Sequence, residues 1–446
     1  MGGYVPATRR ETQEMLGAVG LSDVNELFAE IPEEIRLQGP LDLPAVMTEA
    51  EMLAEMRRMA GNTRQDCAVF LGAGAYRRFV PACVPDLANQ GAFLTAYTPY
   101  QPEMSQGLLQ AMFEYQTMIC ELTGMDAANA SVYDGATAAA EAMLMARAAT
   151  GRSTILVSRA VNPQTKAVLK TYADAAGMRV VPVSMYGGRT HLKKLFETAG
   201  GDVCAVLLQQ PNFFGCLEEV HEAGRIAHAA GALLVVSAGP VSLGMLAAPG
   251  ALGADIAVGD AQELGSDLNF GGPGAGYMAA KKEYLRRLPG RIVGQTKDGD
   301  GRRGFVLTLQ AREQHIRREK ASSNICSNEA HTALTAAVYL AAMGPEGLYE
   351  AAKLSHDRAH YLHGRILQID GFTELWPTPF FNEFAVRSPV NPGLMNERLL
   401  KKGIIGGYDL GRVDEKYENA VLFCVTEAND RAQIEALVRE LEAMAK

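Results

Sequence analysis

The stretch Ser131-Val132-Tyr133-Asp134-Gly135-Ala136-Thr137-Ala138 stands where a loop turns into an alanine-rich run. Backbone N–H groups in the first turn of a helix can hold a phosphate, which makes Asp134, Gly135, Ala136 and Thr137 candidates for a phosphate cradle. The competing reading is a plain helix cap by Asp134 or Ser131. A second glycine-rich stretch, Gly271-Gly272-Pro273-Gly274, either lets backbone approach a ligand closely or forms a tight turn before the apolar run 276–280. His356, His360 and His363 recur at i, i+4 and i+7, setting three imidazoles on one helical face. No fourth ligand accompanies them, and Asp357 and Arg358 are interleaved, so ordinary helix residues and no metal site are expected.

Positioning such groups takes a scaffold, and the chain alternates apolar runs with helical segments. Runs at 154–158, 179–184, 203–209, 232–238 and 255–259 are separated by helical patterns at 163–176, 190–199, 221–230 and 242–247. The alternation predicts a parallel sheet, and runs without two-residue periodicity predict strands covered on both faces. Ligands of such a sheet bind at the carboxyl ends of its strands. Long helices are predicted over 105–124 and 136–149. Further on, strand 382–387, helix 394–402, strand 420–426 and helix 430–445 predict a smaller α/β unit. Residues 8–60 read as short helices interrupted by Pro32, Pro40 and Pro44, with start signals at Ser22 and at Thr48 with Glu51. The expected organisation is a helical N-terminal arm over 1–65, a large domain over 66–325 and a small C-terminal domain over 326–446.

Composition narrows the partners. Of 446 residues, 42 are Lys or Arg and 51 Asp or Glu, a formal charge of −9 that lacks the electrostatic footprint of a nucleic-acid binder. Seven cysteines, odd in number and without a Cys-x-x-Cys pair, read as reduced thiols. Arg9, Arg10, Glu11 and Glu14 precede any sustained apolar run, so no secretory or membrane-spanning segment is expected and the predicted location is the cytoplasm. Residues 286–320 run against the overall charge, with ten Lys/Arg, Arg302 and Arg303 among them, against four acids. That segment either guides a charged partner or forms a solvated face.

A loop that opens a helix, several βα units before a glycine-rich turn, is the layout of pyridoxal-phosphate enzymes of the aspartate-aminotransferase fold, fold type I. Their chemistry needs an acid facing the pyridine nitrogen and a lysine for the Schiff base. The acid should follow Val235-Val236-Ser237-Ala238, but Gly239 and Pro240 come next. The lysine should fall within 260–270, and that interval contains none. Lys281 and Lys282 lie beyond the apolar run 276–280, where they are expected to begin a surface helix. The architecture is therefore predicted without its covalent anchor or its nitrogen partner.

Several long motifs carry a resemblance. They are Phe70-Leu-Gly-Ala-Gly-Ala-Tyr76, Tyr97-Thr-Pro-Tyr-Gln-Pro-Glu103, Tyr133-Asp-Gly-Ala-Thr-Ala138, Pro211-Asn-Phe-Phe-Gly215, Gly271-Gly-Pro-Gly274, Ser323-Asn-Ile-Cys-Ser-Asn328 and Phe380-Phe-Asn-Glu-Phe384. Together they closely resemble glycine dehydrogenase (decarboxylating), the P-protein family of the glycine cleavage system, and within it the separately encoded subunit 1. The resemblance implies an α2β2 heterotetramer in which a homologous subunit 2 binds pyridoxal phosphate covalently and this chain does not. The pair would take glycine, release carbon dioxide and pass the aminomethyl group to the lipoyl arm of the H-protein. Gln262 is implied to stand where subunit 2 has its lysine, leaving no catalytic residue on this chain alone. Tyr97, Tyr100 and Gln101 are implied to bind substrate across the subunit interface, with a proline-held turn as the alternative. Gly271, Gly272 and Gly274 are implied to approach the partner's cofactor phosphate, and Asp134 to Thr137 to be a vestigial phosphate loop. Glu103 reads as a cap or ion-pair partner, and Arg77-Arg78 departs from the family, whose members often carry an acid or histidine there. Two other functions compete: an independent pyridoxal-phosphate decarboxylase or lyase with its lysine elsewhere, and a non-catalytic regulatory scaffold.

Overall fold

The computed structural model describes residues 6–96, 99–268, 271–321 and 323–445. Two compact units divide between Gln65 and Asp66. The first holds helices α1 (Arg9–Ala18) and α2 (Glu49–Ala60), with short 3-10 turns between them. Its helical segments start at reciprocal caps, Thr8 with Glu11, Asp23 with Glu26 and Thr48 with Glu51. The middle start lies at Asp23 and not at the expected Ser22, whose hydroxyl donates to Glu26 instead.

The second unit is built on a seven-stranded sheet. In chain order its strands are β1 (Ala127–Ala128), β2 (Thr154–Ser158), β3 (Arg179–Val183), β4 (Val203–Gln210), β5 (Leu233–Ala238), β6 (Ile256–Asp260) and β7 (Gly276–Ala280). In space they run β1-β7-β6-β5-β4-β2-β3. Strands β2 to β6 are mutually parallel, and β7 runs antiparallel to both β6 and β1. All five predicted apolar runs form strands whose ends lie within one residue of expectation.

Both faces of the sheet are buried, and alternate residues of each strand feed separate cores. Leu156, Val206, Leu234, Val236 and Ala257 face a core completed by Tyr115 and Ile119 of helix α3 (Gln106–Thr123). Ile155, Val157, Leu207, Val235 and Val258 face the other, where Ala138, Ala139 and Met143 of helix α4 (Gly135–Thr150) pack. Helices α5 (Pro163–Ala176) and α6 (Val220–Ala229) complete the crossovers. The helix expected at 242–247 is only a 3-10 turn, Val241–Gly244. A side chain at Gly244 would meet the Leu348 carbonyl at 2.8 Å, so packing demands a glycine, a poor helix former, at that point.

After a β8 (Val293–Lys297) and β9 (Arg303–Leu307) hairpin comes helix α7 (Ala330–Ile366), broken at Gly344-Pro345. The chain ends in an antiparallel sheet of β10 (Thr373–Glu374), β11 (Glu383–Arg387), β12 (Tyr408–Asp409) and β13 (Ala420–Cys424), ordered β10-β11-β13-β12. Helices α8 (Pro392–Lys401) and α9 (Arg431–Ala445) accompany it, and Leu362, Phe384, Val386, Phe423 and Leu437 share its core. Among the described residues, no helix is long and apolar enough to cross a membrane.

Candidate functional site

A cavity of about 180 Å³ opens at the carboxyl ends of β4, β5 and β6. Gln209, Ser237, Ala238 and Asp260 line it from the strands, and Asp134, Gly135 and Ala136 from the start of α4. Tyr76, Arg78, Asn382 and Glu383 close the remaining side. Gln262, at the expected lysine position, lines the cavity too. Its amide donates to the carbonyls of Ser266 (2.7 Å) and Tyr76 (3.2 Å), while its oxygen accepts from the Tyr76 N–H (3.3 Å). Both ends of that side chain are committed to backbone.

Strand β6 ends against the first turn of α4. Asp134 caps the helix, accepting the Thr137 N–H at 2.6 Å. Asp260 accepts the Gly135 N–H at 3.1 Å and the Gln262 N–H at 2.9 Å. No lysine is among the described residues that line the cavity, and Gly239, at the position expected for the pyridine-facing acid, lines it without a carboxyl group. These residues do not fit pyridoxal phosphate. Lys281 pairs with Asp255 at 2.6 Å, at the opposite, amino end of β6. It is the N-cap of the 3-10 turn Lys282–Arg287.

Arg78, whose role the family comparison of motifs left open, is the central cation of the site. Its Nε donates to Glu263 at 2.8 Å, and its Nη1 to Glu427 at 2.8 Å and to the Ser355 hydroxyl at 2.9 Å. The three charged side chains are only 3%, 6% and 7% exposed, so solvent screens the cluster little. Burial works against the guanidinium charge, but the two carboxylates outweigh it and raise the Arg78 pKa.

Beside this cluster, Glu383 accepts the Ala73 N–H at 2.7 Å and the Tyr76 hydroxyl at 2.8 Å. Gly72 (φ 60°) makes this approach possible, because a Cβ there would lie 2.3 Å from the Glu383 carboxylate. Burial pushes the Glu383 carboxyl up from its ordinary 4.5 to about 7. The folded chain therefore holds a proton that the unfolded chain releases. The associated stability is present below pH 4.5 and is lost as pH rises through about 7. Glu383→Gln is expected to gain stability relative to the parent between pH 5 and pH 8, by at most about 3 kcal/mol. Urea midpoints at the two pH values check this; an equal difference at both would contradict it.

The loops expected to serve a neighbouring subunit lie apart from this cavity. Tyr97 falls outside the described residues. Tyr100 is half-buried under the Arg291 guanidinium (4.5 Å to the ring centre), and its hydroxyl donates to Asn328 at 3.0 Å. Gln101 is exposed, and its side-chain amide makes no hydrogen bond among the described residues. Gly271 (φ 99°), Gly272 and Gly274 do not line the cavity either. Both groups adjoin the stretch leading into α4: Asn328 bonds the Ala130 carbonyl, and Gly274 sits beside that of Tyr133.

Two cations of the 286–320 segment are structural, since Arg291 pairs with Glu313 and Arg312 donates to the Gly290 carbonyl at 2.7 Å. Arg302 stays exposed, 3.8 Å from Asp300. His360 stacks on Phe380 at 4.0 Å and His363 packs edge-on to Phe384, which makes these rings packing groups. Glu103 is exposed and forms no ion pair among the described residues.

The residues missed from sequence are Tyr76, Glu263, Glu383 and Glu427. Only Glu383 left a trace, as the charge that interrupts the apolar run Phe380-Phe-Asn-Glu-Phe-Ala-Val386.

The family model "Glycine cleavage system P-protein" matches residues 2–441. A protein of Moorella thermoacetica named "Probable glycine dehydrogenase (decarboxylating) subunit 1" is 52% identical over 441 residues, which is 99% of each chain. A crystal structure of glycine decarboxylase (P-protein) of the glycine cleavage system, in inhibitor-bound form, superposes with a TM-score of 0.91 at 49% identity. It covers 99% of this chain and 100% of that one. A sphingosine-1-phosphate lyase of Burkholderia pseudomallei (TM-score 0.67, 14% identity, 93% of this chain and 94% of that one) shares the fold alone. The architecture is that of fold type I pyridoxal-phosphate enzymes, and the chain belongs to the glycine cleavage system P-protein family.

Proposed function

We propose that this chain is subunit 1 of a two-subunit glycine dehydrogenase (decarboxylating). It works in the cytoplasm with a homologous subunit 2, as an α2β2 assembly, on glycine and the lipoyl arm of the H-protein. The observation that supports the reading is the cavity at the carboxyl ends of the strands, lined by Gln262 and by two carboxylates that accept N–H groups at the start of α4, with no lysine among its described lining residues. Pyridoxal phosphate, held by subunit 2, supplies the electron sink for loss of carbon dioxide.

This chain's contribution is made across the interface. Gln101, whose side-chain amide has no hydrogen bond among the described residues, donates to the glycine carboxylate at a site that Tyr97 and Tyr100 also serve. Tyr100 acts by holding its loop, through Asn328 and the Arg291 stack. Gly272 and Gly274 bring N–H groups to the partner's cofactor phosphate, and Gly271, whose own N–H donates to the Leu268 carbonyl at 2.9 Å, shapes the turn that presents them. The exposed cations near Arg302 and Arg303 attract the carrier.

Borohydride reduction of the assembled enzyme is expected to leave this 47.9 kDa chain at its unmodified mass and to label the partner. A pyridoxyl adduct on this chain would return the independent-enzyme reading. In the paired enzyme, Gln101→Ala is expected to lower kcat/KM for glycine about 10- to 100-fold, the worth of one hydrogen bond to a charged group, and Tyr100→Phe about 2- to 10-fold, the worth of its neutral bond to Asn328. Unchanged kinetics in both variants would favour the scaffold reading.

A further inference from the structure

We propose that Asp260 is a built-in anion that takes the place of a ligand's phosphate group and closes this chain's own cavity to phosphate esters. Helix α4 spans 16 residues and turns its first N–H groups toward the cavity, an arrangement that ordinarily attracts a dianion. Here two of those donors are spent inside the chain. The Gly135 N–H is held by one Asp260 oxygen at 3.1 Å, and the Thr137 N–H by Asp134 at 2.6 Å. The second Asp260 oxygen holds the Gln262 N–H at 2.9 Å, so the carboxylate is fixed from the strand side as well.

Space is closed along with charge. A Cβ built on Gly135 would lie 2.8 Å from the Asp260 nitrogen and 3.0 Å from the Gly259 carbonyl carbon, so the strand end abuts the helix start directly. Glu263 adds a second carboxylate to the lining, and Glu383, which keeps its proton up to about pH 7, adds a carboxyl group without a cation. Arg78, the one guanidinium lining the cavity among the described residues, is already shared between Glu263 and Glu427. An arriving phosphate would therefore meet fixed negative charge with no free cation to offset it. Asp260 does this within one chain, independently of any partner subunit.

The test uses the full-length chain, its Asp260→Ser variant and the near-isosteric Asp260→Asn, with inorganic phosphate as the probe in calorimetric titration. Both variants are expected to bind phosphate at least about tenfold more tightly than the parent, with Asp260→Ser the tighter. Pyridoxal phosphate should then compete with inorganic phosphate in Asp260→Ser. Equal phosphate affinity in all three proteins would overturn the proposal. If either variant fails to fold, the parent chain decides through hydrogen exchange of the peptide holding Gly135 to Thr137. Uptake that excess phosphate leaves unchanged is the expected result, and uptake slowed by phosphate would overturn it.

Discussion

Arg78→Met is expected to cost about 3–5 kcal/mol of stability, the largest loss of any single substitution in the site. The guanidinium joins four segments distant in sequence: the loop at 70–79, the stretch after β6 through Glu263, helix α7 through Ser355, and the turn after β13 through Glu427. Removing it leaves two carboxylates, 6% and 7% exposed, facing each other without a counter-charge. Glu427 also accepts the Phe79 N–H at 2.7 Å, so the loss should loosen the wall of the cavity as well. Urea unfolding at neutral pH measures the effect. Adding Glu263→Gln and Glu427→Gln to the same chain should restore much of the loss, since the cost lies in the stranded charges and less in the missing contact. A single variant that loses less than about 1 kcal/mol would mean that the carboxylates are satisfied some other way.

The second large effect concerns turnover. The isolated chain is expected to exchange bicarbonate carbon into glycine no faster than cofactor free in solution, and addition of subunit 2 to raise that rate at least about a thousandfold. The physical ground is the commitment of every group where the chemistry would sit. The Gln262 amide is tied to Ser266 and Tyr76, Gly239 is at the position expected for the acid facing the cofactor ring, and Lys281 is bound to Asp255 at the far end of β6. Exchange by this chain alone at a rate comparable to the pair would sink the two-subunit reading.

Much of the fold was legible because it is written locally. The parallel strands are continuous apolar runs with abrupt ends, and α5 starts at Asn162-Pro163 and stops at Gly177, a cap at each end that sequence alone displays. The position of the cavity followed from strand order in the same way. What could not be read were meetings between distant residues. Arg78 sits next to Arg77 in a pair that looks like an exposed basic step, and nothing nearby announces that Glu263 and Glu427 will enclose it. Asp134 was legible as a cap, whereas Asp260 was not: its partner, the Gly135 N–H, lies 125 residues away in sequence.

That same Asp260 to Gly135 hydrogen bond bears on how the protein fares when vitamin B6 is scarce. A polypeptide that relies on a dissociable anion to complete a helix start gains RT ln(1 + [L]/Kd) of stability from it, and loses that gain as the ligand runs out. Here the anion is a side chain of the same chain, so its local concentration does not vary with supply. This chain's fold should thus be indifferent to cofactor supply, leaving it competent to meet its sister subunit before or after that subunit is loaded.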